Sequence, residues 1–161
     1  MKVSVLSSGS KGNATLVKTD HATVLVDIGI SPRRLSSLLR PFGLSPDDIQ
    51  AIFITHSHTD HFSGLESFVK SRNIPLFASE ETASSIELSI GESLGKQGIS
   101  LNWNYIDKEA SFIYNQLSIT CFEVPHDANG AMAFTFESDG SKLGVATDLG
   151  FVTNSVRYHL M

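Results

Sequence analysis

An α/β sandwich, in which helices cover two β-sheets, is the fold class that this sequence of 161 residues predicts. Strand-like runs alternate with helical spacing before Ile99, and from Ile99 onward the pattern becomes almost entirely β. Such mixed runs are typical of sheets that are covered by helices. Hydrophobic residues make up 41% and charged residues 18%, as in an ordinary globular protein, and the length allows one substantial core. We therefore expect a single domain over residues 1–161.

The first part of the chain predicts three strands followed by a helix. The strand-like runs cover residues 2–6, 14–18 and 22–27. Ser31 and Pro32 are residue types favoured at the N-cap and at the first position of a helix. The apolar residues that follow recur at helical spacing, and Gly43 is a favoured helix terminator. A short helical turn at 45–48 then precedes a buried strand at 51–55.

The later elements continue to alternate before the chain turns to β. A helix around Leu65 to Val69, a strand at 75–79 and a helix at 80–88 come first. The remaining candidate strands cover 101–106, 111–114, 116–124, 131–138 and 142–147. The pair Asp139-Gly140 lies between the last two and is a strong signal for a tight hairpin. A two-layer arrangement of sheets follows from this run of strands.

Four metal-capable side chains crowd into six positions directly after the buried strand: His56, His58, Asp60 and His61. Neutral imidazoles and carboxylates are natural ligands of Zn²⁺ and related ions. Extended chain points His56 and His58 to the same side, so both can bind one ion. Asp60 and His61 follow in a turn and suit a second, neighbouring ion. A chance cluster and a purely structural metal site are the alternatives, but the mixture of His with Asp favours a catalytic site.

This hexapeptide resembles the signature of the metallo-β-lactamase fold superfamily. Three further motifs of that superfamily are matched in order by Asp27 in Leu-Val-Asp-Ile-Gly, His126 in Val-Pro-His-Asp and Asp148 in Ala-Thr-Asp-Leu-Gly. The segment Ser-Gly-Ser-Lys-Gly-Asn, residues 8–13, is more specific. It resembles the YycJ/WalJ-like branch of bacterial hydrolases, which implies a nuclease-type phosphodiesterase linked to DNA maintenance.

The resemblance also implies a fold and a set of metal ligands. The fold is an αββα sandwich, of which this chain resembles the first half and the start of the second. One ion is assigned to His56, His58 and His126, and the other to Asp60 and His61, with Asp148 between them. The ions would be two divalent metals, Zn or Mn, with Fe as a further option. Asp60 is also the expected catalytic carboxylate, because it can orient the attacking water or move its proton.

Three functions remain open at this stage. The first is a binuclear hydrolase that cleaves phosphodiesters in DNA. The second is a metallohydrolase of a small ester, thioester or lactam. The third is a shortened metal-binding module with weak or no catalysis. We expect Asp27 to be a carboxylate that anchors the histidines by hydrogen bonds, and Asp127 and Asn129 to be turn residues.

Charge and composition limit the partners and the compartment. The formal charge of −5 does not favour nonspecific attraction to nucleic acid. Five basic residues have two interpretations: they form a local basic patch, or they are simply solvated surface charges. They are Lys11, Lys18, Arg33, Arg34 and Arg40. No apolar stretch approaches a membrane span, and the N-terminal run is too short for a signal peptide. Cys121 is the only cysteine, which predicts a buried core thiol and a cytoplasmic protein.

The end of the sequence predicts a shortened domain. The chain stops soon after Asp148, and no residue matches the final histidine that the resemblance assigns to the second metal. His159 is expected to be a surface residue of a helix rather than that ligand. We therefore expect a chain shortened at its C-terminus, with exposed apolar surface that a second copy or another chain covers.

Overall fold

The structure is a computed structural model that describes residues 1–161, and it confirms the α/β sandwich. Its strands are Lys2–Ser7 (β1), Ala14–Lys18 (β2), Thr23–Val26 (β3), Ala51–Phe53 (β4), Pro75–Ala78 (β5), Asn102–Tyr105 (β6), Ser111–Tyr114 (β7), Leu117–Glu123 (β8), Met132–Ser138 (β9) and Ser141–Val145 (β10). Its helices are Pro32–Leu39 (α1), Thr59–Phe62 (α2), Leu65–Val69 (α3), Glu80–Gly95 (α4) and Asn154–Leu160 (α5). Short 3₁₀ turns follow α1, at Arg40–Phe42 and Pro46–Asp48.

The strands form two sheets of unequal width. The first sheet has the order β1-β2-β3-β4-β5-β6, and the second has the order β10-β9-β8-β7. Strands β3 to β6 are parallel to one another, and helices occupy each connection between them, as parallel pairing requires. The second sheet is antiparallel throughout, and the predicted Asp139-Gly140 hairpin joins β9 to β10. The parallel strands of the first sheet therefore all end at one edge.

Two buried clusters fill the space on either side of the first sheet. Along β3, Leu25 faces the helices, whereas Val24 and Val26 face the second sheet. Leu35 of α1 and Phe68 of α3 belong to the helix-side core. The second core lies between the sheets and contains the rings of Phe53, Phe134 and Phe136 among others. Both faces of the central strands are thus buried, which explains why their sequences are apolar without alternation.

Helix α5 covers the outer face of the second sheet. Its Val156 lies in a small buried cluster with Phe122, Val124, Ala131 and Ala133. The layers are therefore helices, sheet, sheet and helix, as the αββα expectation requires. No helix combines the length and the hydropathy that a membrane crossing requires.

Several predicted boundaries differ from the observed ones. The strand expected at 51–55 ends at Phe53, because the amide of Thr55 donates to the side chain of Asp27 at 2.9 Å instead of to a neighbouring strand. The helix expected to end at residue 88 continues to Gly95. Leu88 is 89% exposed on that helix, so the apolar periodicity fades while the helix itself continues.

Caps at the helix ends agree with the sequence. The hydroxyl of Ser31 accepts a hydrogen bond from the amide of Arg34, and Pro32 occupies the first turn of α1. Gly43 closes the following 3₁₀ turn with φ of 69°, a left-handed conformation that glycine adopts without a steric penalty.

Candidate metal centre

The centre lies where strands of both sheets end. Asp27 follows β3, and Thr55 and His56 follow β4, so parallel strands deliver them to the same edge. The second sheet reaches this edge as well, because the amide of Met132 at the start of β9 donates to the carbonyl of Thr55 at 2.9 Å. The loop before β9 supplies His126, and the segment after β10 supplies Asp148. Residues far apart in sequence therefore meet in one place.

The first group of donors consists of three imidazoles. His56, His58 and His126 place one ring nitrogen each within 4.8 Å of the others. The Nε2 atom of His126 lies 3.2 Å from the Nδ1 atom of His58. His58 is in extended conformation just before α2, with φ of −72° and ψ of 140°, so the extended geometry expected from the sequence is present there. This is the set that the resemblance assigned to one ion.

The second group shares His56 with the first. His56, His61 and Asp148 also place one donor atom each within 4.8 Å of the others. The Oδ2 atom of Asp148 lies 2.9 Å from Nε2 of His61 and 3.8 Å from Nε2 of His56. Asp148 has a positive φ of 53° and belongs to the second group, where it lies closer to His61 than to the shared His56. The two donor sets therefore adjoin rather than coincide.

Asp60 lies beside the second group without joining it. Its Oδ2 atom is 3.6 Å from Nε2 of His61. It stands in the first turn of α2, which begins at Thr59, so the hexapeptide is partly helical. The side-chain amide of Asn13 donates to the same Oδ2 atom at 3.0 Å. Five of the six predicted site residues thus form the donor groups, and Asp60 is held next to them.

A buried network of hydrogen bonds fixes His61. The Nδ1 atom of His61 lies 2.7 Å from Oδ2 of Asp27, and both side chains are almost completely buried. The hydroxyl and the amide of Thr55 both donate to Oδ1 of Asp27. Since a carboxylate accepts the proton on Nδ1, the Nε2 atom of the neutral His61 ring carries no proton, and its lone pair can bind a metal ion. Asp27 is therefore an anchor for the histidine, as the sequence predicted.

The pKa values of this pair follow from its burial and its contacts. Burial raises the pKa of Asp27, although its bonds to His61 and Thr55 oppose the change. Burial also lowers the pKa of His61, but the hydrogen bond and charge of Asp27, with the charges of Asp60 and Asp148, outweigh it and raise the pKa overall. Both directions are consistent with a proton held on Nδ1, between the two side chains.

His56 provides the test of whether a metal ion fits. Its Nε2 atom is buried and has no hydrogen-bond partner, although a buried polar atom normally has one. Burial, together with the charges of the neighbouring histidines, lowers the pKa of His56 to about 3, so its ring is neutral near pH 7. A neutral imidazole with an unused nitrogen is a ready metal ligand. The donor set of imidazoles and carboxylates therefore fits divalent metal ions.

Glycines allow the loops to approach closely around Asp60. A Cβ atom on Gly29 would lie 1.6 Å from the carbonyl oxygen of Asp60, and one on Gly12 would lie 2.0 Å from the carbonyl oxygen of Gly29. The amide of Asn13 donates to the carbonyl of Asp60 at 2.8 Å through this tight contact. Gly12 also has φ of 123°, which side-chain-bearing residues rarely adopt. The glycine-rich segment 8–13 is therefore packed directly against the centre.

Four contacts of the centre, made by two residues, were not predicted from the sequence. The side chain of Asn13 contacts both Asp60 and Nε2 of His61, each at 3.0 Å. Asp127 was expected to be only a turn residue, but its Oδ1 atom lies 3.2 Å from His126 and 3.5 Å from His58. Only two features of the sequence could have indicated these contacts: the glycine-rich motif before Asn13 and the position of Asp127 beside a histidine.

His159 takes no part in the centre. It was expected on a helix surface, but its side chain is only 14% exposed and stacks on Phe122 with ring centroids 4.5 Å apart. Its Nε2 atom lies 2.7 Å from a carboxylate oxygen of Glu109. Both expectations agree with this position, because His159 lies on helix α5 away from the donor groups, although its ring is more buried than that of a typical surface residue.

The chain resembles known proteins over most of its length. Residues 22–160 match the family described as the beta-lactamase superfamily domain. Exodeoxyribonuclease YycJ of Bacillus anthracis is 31% identical over 154 residues, which cover 96% of this chain and 56% of that protein. Exodeoxyribonuclease WalJ of Streptococcus pneumoniae is 33% identical over 153 residues, with 95% and 56% covered. This chain spans about half the length of the curated relatives it matches.

A solved structure gives the same fold at low identity. The crystal structure of Zn²⁺-bound PqqB from Methylobacterium extorquens matches with a TM-score of 0.73 and 18% identity. The match covers 91% of this chain and 56% of that chain. The similarity extends through both sheets, so the layered architecture is shared.

Proposed function

The chain belongs to the metallo-β-lactamase superfamily and resembles its YycJ/WalJ members, and from that membership we propose a metal-dependent hydrolase that cleaves phosphodiester bonds in DNA. The observation that carries the proposal is the pair of adjoining donor groups that share His56. The names of the two relatives, both exodeoxyribonucleases, favour DNA over other substrates. A single domain over residues 1–161 remains part of this proposal.

Two divalent ions, Zn or Mn with Fe as a further option, are the proposed cofactors. His56, His58 and His126 would hold one, and His61 with Asp60 the other, with Asp148 between them. When bound, such ions polarise the phosphoryl group and make water a stronger nucleophile near neutral pH. The side-chain contacts of these six residues support this arrangement. None of them is an ion pair with Lys or Arg, which would compete with a metal ion for the carboxylates. Their partners are one another and Asp27, Thr55, Asp127 and Asn13.

The protein's own groups would orient the substrate and move the proton. Asp60 is the proposed proton acceptor, because it is partly exposed at 31% and its Oδ2 atom is held by Asn13. Water forms the new P–O bond and gives its proton to the Asp60 carboxylate, while the ester P–O bond breaks and its oxygen is protonated by solvent. Asp27 and Thr55 keep the ring of His61 in one orientation throughout. The cytoplasm remains the proposed compartment for such an enzyme.

Metal content and substrate choice test the proposal together. The wild-type chain, loaded with Zn²⁺ or Mn²⁺, should bind two ions and cleave both duplex DNA and bis(p-nitrophenyl) phosphate. His58→Ala should lose one ion and both activities. His21→Ala is the matched control, because His21 is exposed at the β2–β3 turn, the end of β3 opposite the centre. One ion per chain would favour a metal-binding module, and cleavage of thioesters or lactams without cleavage of DNA would favour a small-molecule hydrolase.

A further inference from the structure

A polar cavity of about 470 Å³ adjoins the metal centre at His126. The loop between β8 and β9 forms one wall, and the start of α5 forms another. The polar residues that define it are Glu109, Glu123, His126, Asn129, Thr153 and Ser155. Its size falls within the range of about 300–1,000 Å³ that is common for small-molecule sites. Because His126 borders both the cavity and the donor group, a ligand in the cavity lies next to the centre.

The walls of the cavity offer hydrogen-bond acceptors held in fixed positions. The two oxygens of Glu109 contact Ser155 Oγ at 3.3 Å and His159 Nε2 at 2.7 Å. One oxygen of Glu123 accepts from Lys108 Nζ at 2.6 Å, which orients that carboxylate. Only three of the 11 lining residues are hydrophobic, and none is Lys or Arg. The cavity therefore disfavours phosphate and favours an uncharged group that donates hydrogen bonds.

We propose that this cavity binds the nucleobase of the nucleotide whose phosphate lies at the metal centre, an inference that rests on the proposed function. A nucleotide combines an anionic phosphate with an uncharged base, and the protein offers a cation site beside an acid-lined cavity. The exocyclic amino groups of adenine, cytosine and guanine donate to carboxylates, whereas the one donor of the thymine base, its N3–H, lies between two carbonyl oxygens that repel a carboxylate. The cavity walls include no Phe, Tyr or Trp on which a base could stack. Recognition therefore depends on the base edge, and thymine is the weakest ligand.

Binding of nucleoside monophosphates to the metal-loaded wild-type chain tests the base preference. We expect dAMP and dCMP to bind about tenfold more tightly than dTMP, because the two carbonyl oxygens beside the N3–H of thymine weaken its hydrogen bond to a charged acceptor. Inorganic phosphate measures the contribution of the metal centre and should bind more weakly than dAMP. Equal affinity for dTMP and dAMP would overturn the inference without bearing on hydrolysis. This measurement needs no variant, so it does not depend on how any substitution folds.

A substitution that fills the cavity provides a second test of the same inference. Ala128 lines the cavity and is half-buried, so Ala128→Phe should weaken dAMP binding about tenfold and lower the ratio of DNA cleavage to bis(p-nitrophenyl) phosphate cleavage. Ser84→Phe adds the same ring on the exposed side of α4 and should keep the wild-type ratio. Unchanged dAMP affinity and ratio in Ala128→Phe would overturn the inference alone. A wild-type chain that binds both ions but cleaves neither substrate would overturn the proposed function instead.

Discussion

At the scale of single residues, Asp27 connects the fold to the centre. Its backbone continues the β3–β4 pairing, because its amide donates to the carbonyl of Phe53 at 2.8 Å. Its side chain holds Thr55 and His61, and its φ of 63° turns the chain away from the sheet. Asp and Asn tolerate this left-handed conformation better than bulky residues do. One residue thus ends a strand and fixes the orientation of a metal ligand.

Asp27→Asn should weaken the metal centre without removing a ligand. An amide cannot accept two hydrogen bonds from Thr55 and one from His61 as well as a carboxylate does, so the ring of His61 loses its fixed orientation. Loss of such a partner of a ligand typically costs about 10–100-fold in metal affinity. Chelator competition with Zn²⁺ measures the change. Asp20→Asn in the exposed β2–β3 turn is the control, and equal affinities in the two variants would contradict the role of Asp27.

Four of the six candidate ligands could be chosen from the compact motif at residues 56–61, whereas His126 and Asp148 were chosen because their motifs resemble those of the superfamily. The structure brings His56, His58 and His126 together across 70 residues of chain, although their roles as ligands stay predictions. Asn13 and Asp127 could not be chosen in the same way. Each is important because its side chain lies within 3 to 3.5 Å of a candidate ligand. That closeness depends on how the segments of the chain pack in three dimensions.

At the scale of elements, alternation and capping located nearly every strand and helix, but not their exact ends. The short helix α2 is the instructive case, because the sequence predicted a turn at Asp60 and His61. The amide of His61 donates to the carbonyl of His58, and the carbonyl of His61 accepts from Ile28. Tertiary contacts with the segment after β3 therefore stabilise a helical turn that has little periodicity of its own.

Strand β8 buries the only cysteine, which makes a prediction about its reactivity. Cys121 is inaccessible to solvent, and its sulfur lies 3.3 Å from the carbonyl oxygens of Asp107 and Ala110. Burial raises the pKa of this thiol to about 11. Below that pKa the thiol stays protonated, so at about pH 8 only about one molecule in a thousand carries the reactive thiolate.

A thiol reagent such as Ellman's reagent should therefore react slowly with the native chain and quickly with the chain in guanidinium. The inaccessibility of the thiol and its raised pKa both slow the reaction of the native chain. The reaction rate of the native chain should rise only as the pH approaches the pKa of Cys121. Absorbance of the released thiolate measures both rates. A rapid stoichiometric reaction of the native chain at about pH 8 would show that β8 does not bury Cys121.

At the scale of the whole molecule, the unequal widths of the sheets leave apolar surface uncovered. Val3 and Val5 pair with Val17 and Thr15 of β2 and point toward the second sheet, yet they are 43% and 65% exposed. The second sheet ends at β10, whose outer edge has no partner strand. A groove between the two edges is lined by these valines and by Leu143. An open strand edge beside apolar surface favours association with another strand.

We predict that a second copy of the chain occupies this groove, with β10 pairing antiparallel to β10 of its partner. Such pairing would join the two second sheets and place apolar side chains of one copy near Val3 and Val5 of the other, as two-fold symmetry allows. Light scattering over a range of concentrations should show a mass that rises toward the dimer. Val5→Lys should shift the chain to monomer, because it buries a charge in the contact. Ile113→Lys is the control, since Ile113 is 75% exposed on β7, at the opposite edge of the second sheet, and should leave the association unchanged. A monomer at every concentration, or equal behaviour of the two variants, would show that this edge does not bind a second copy.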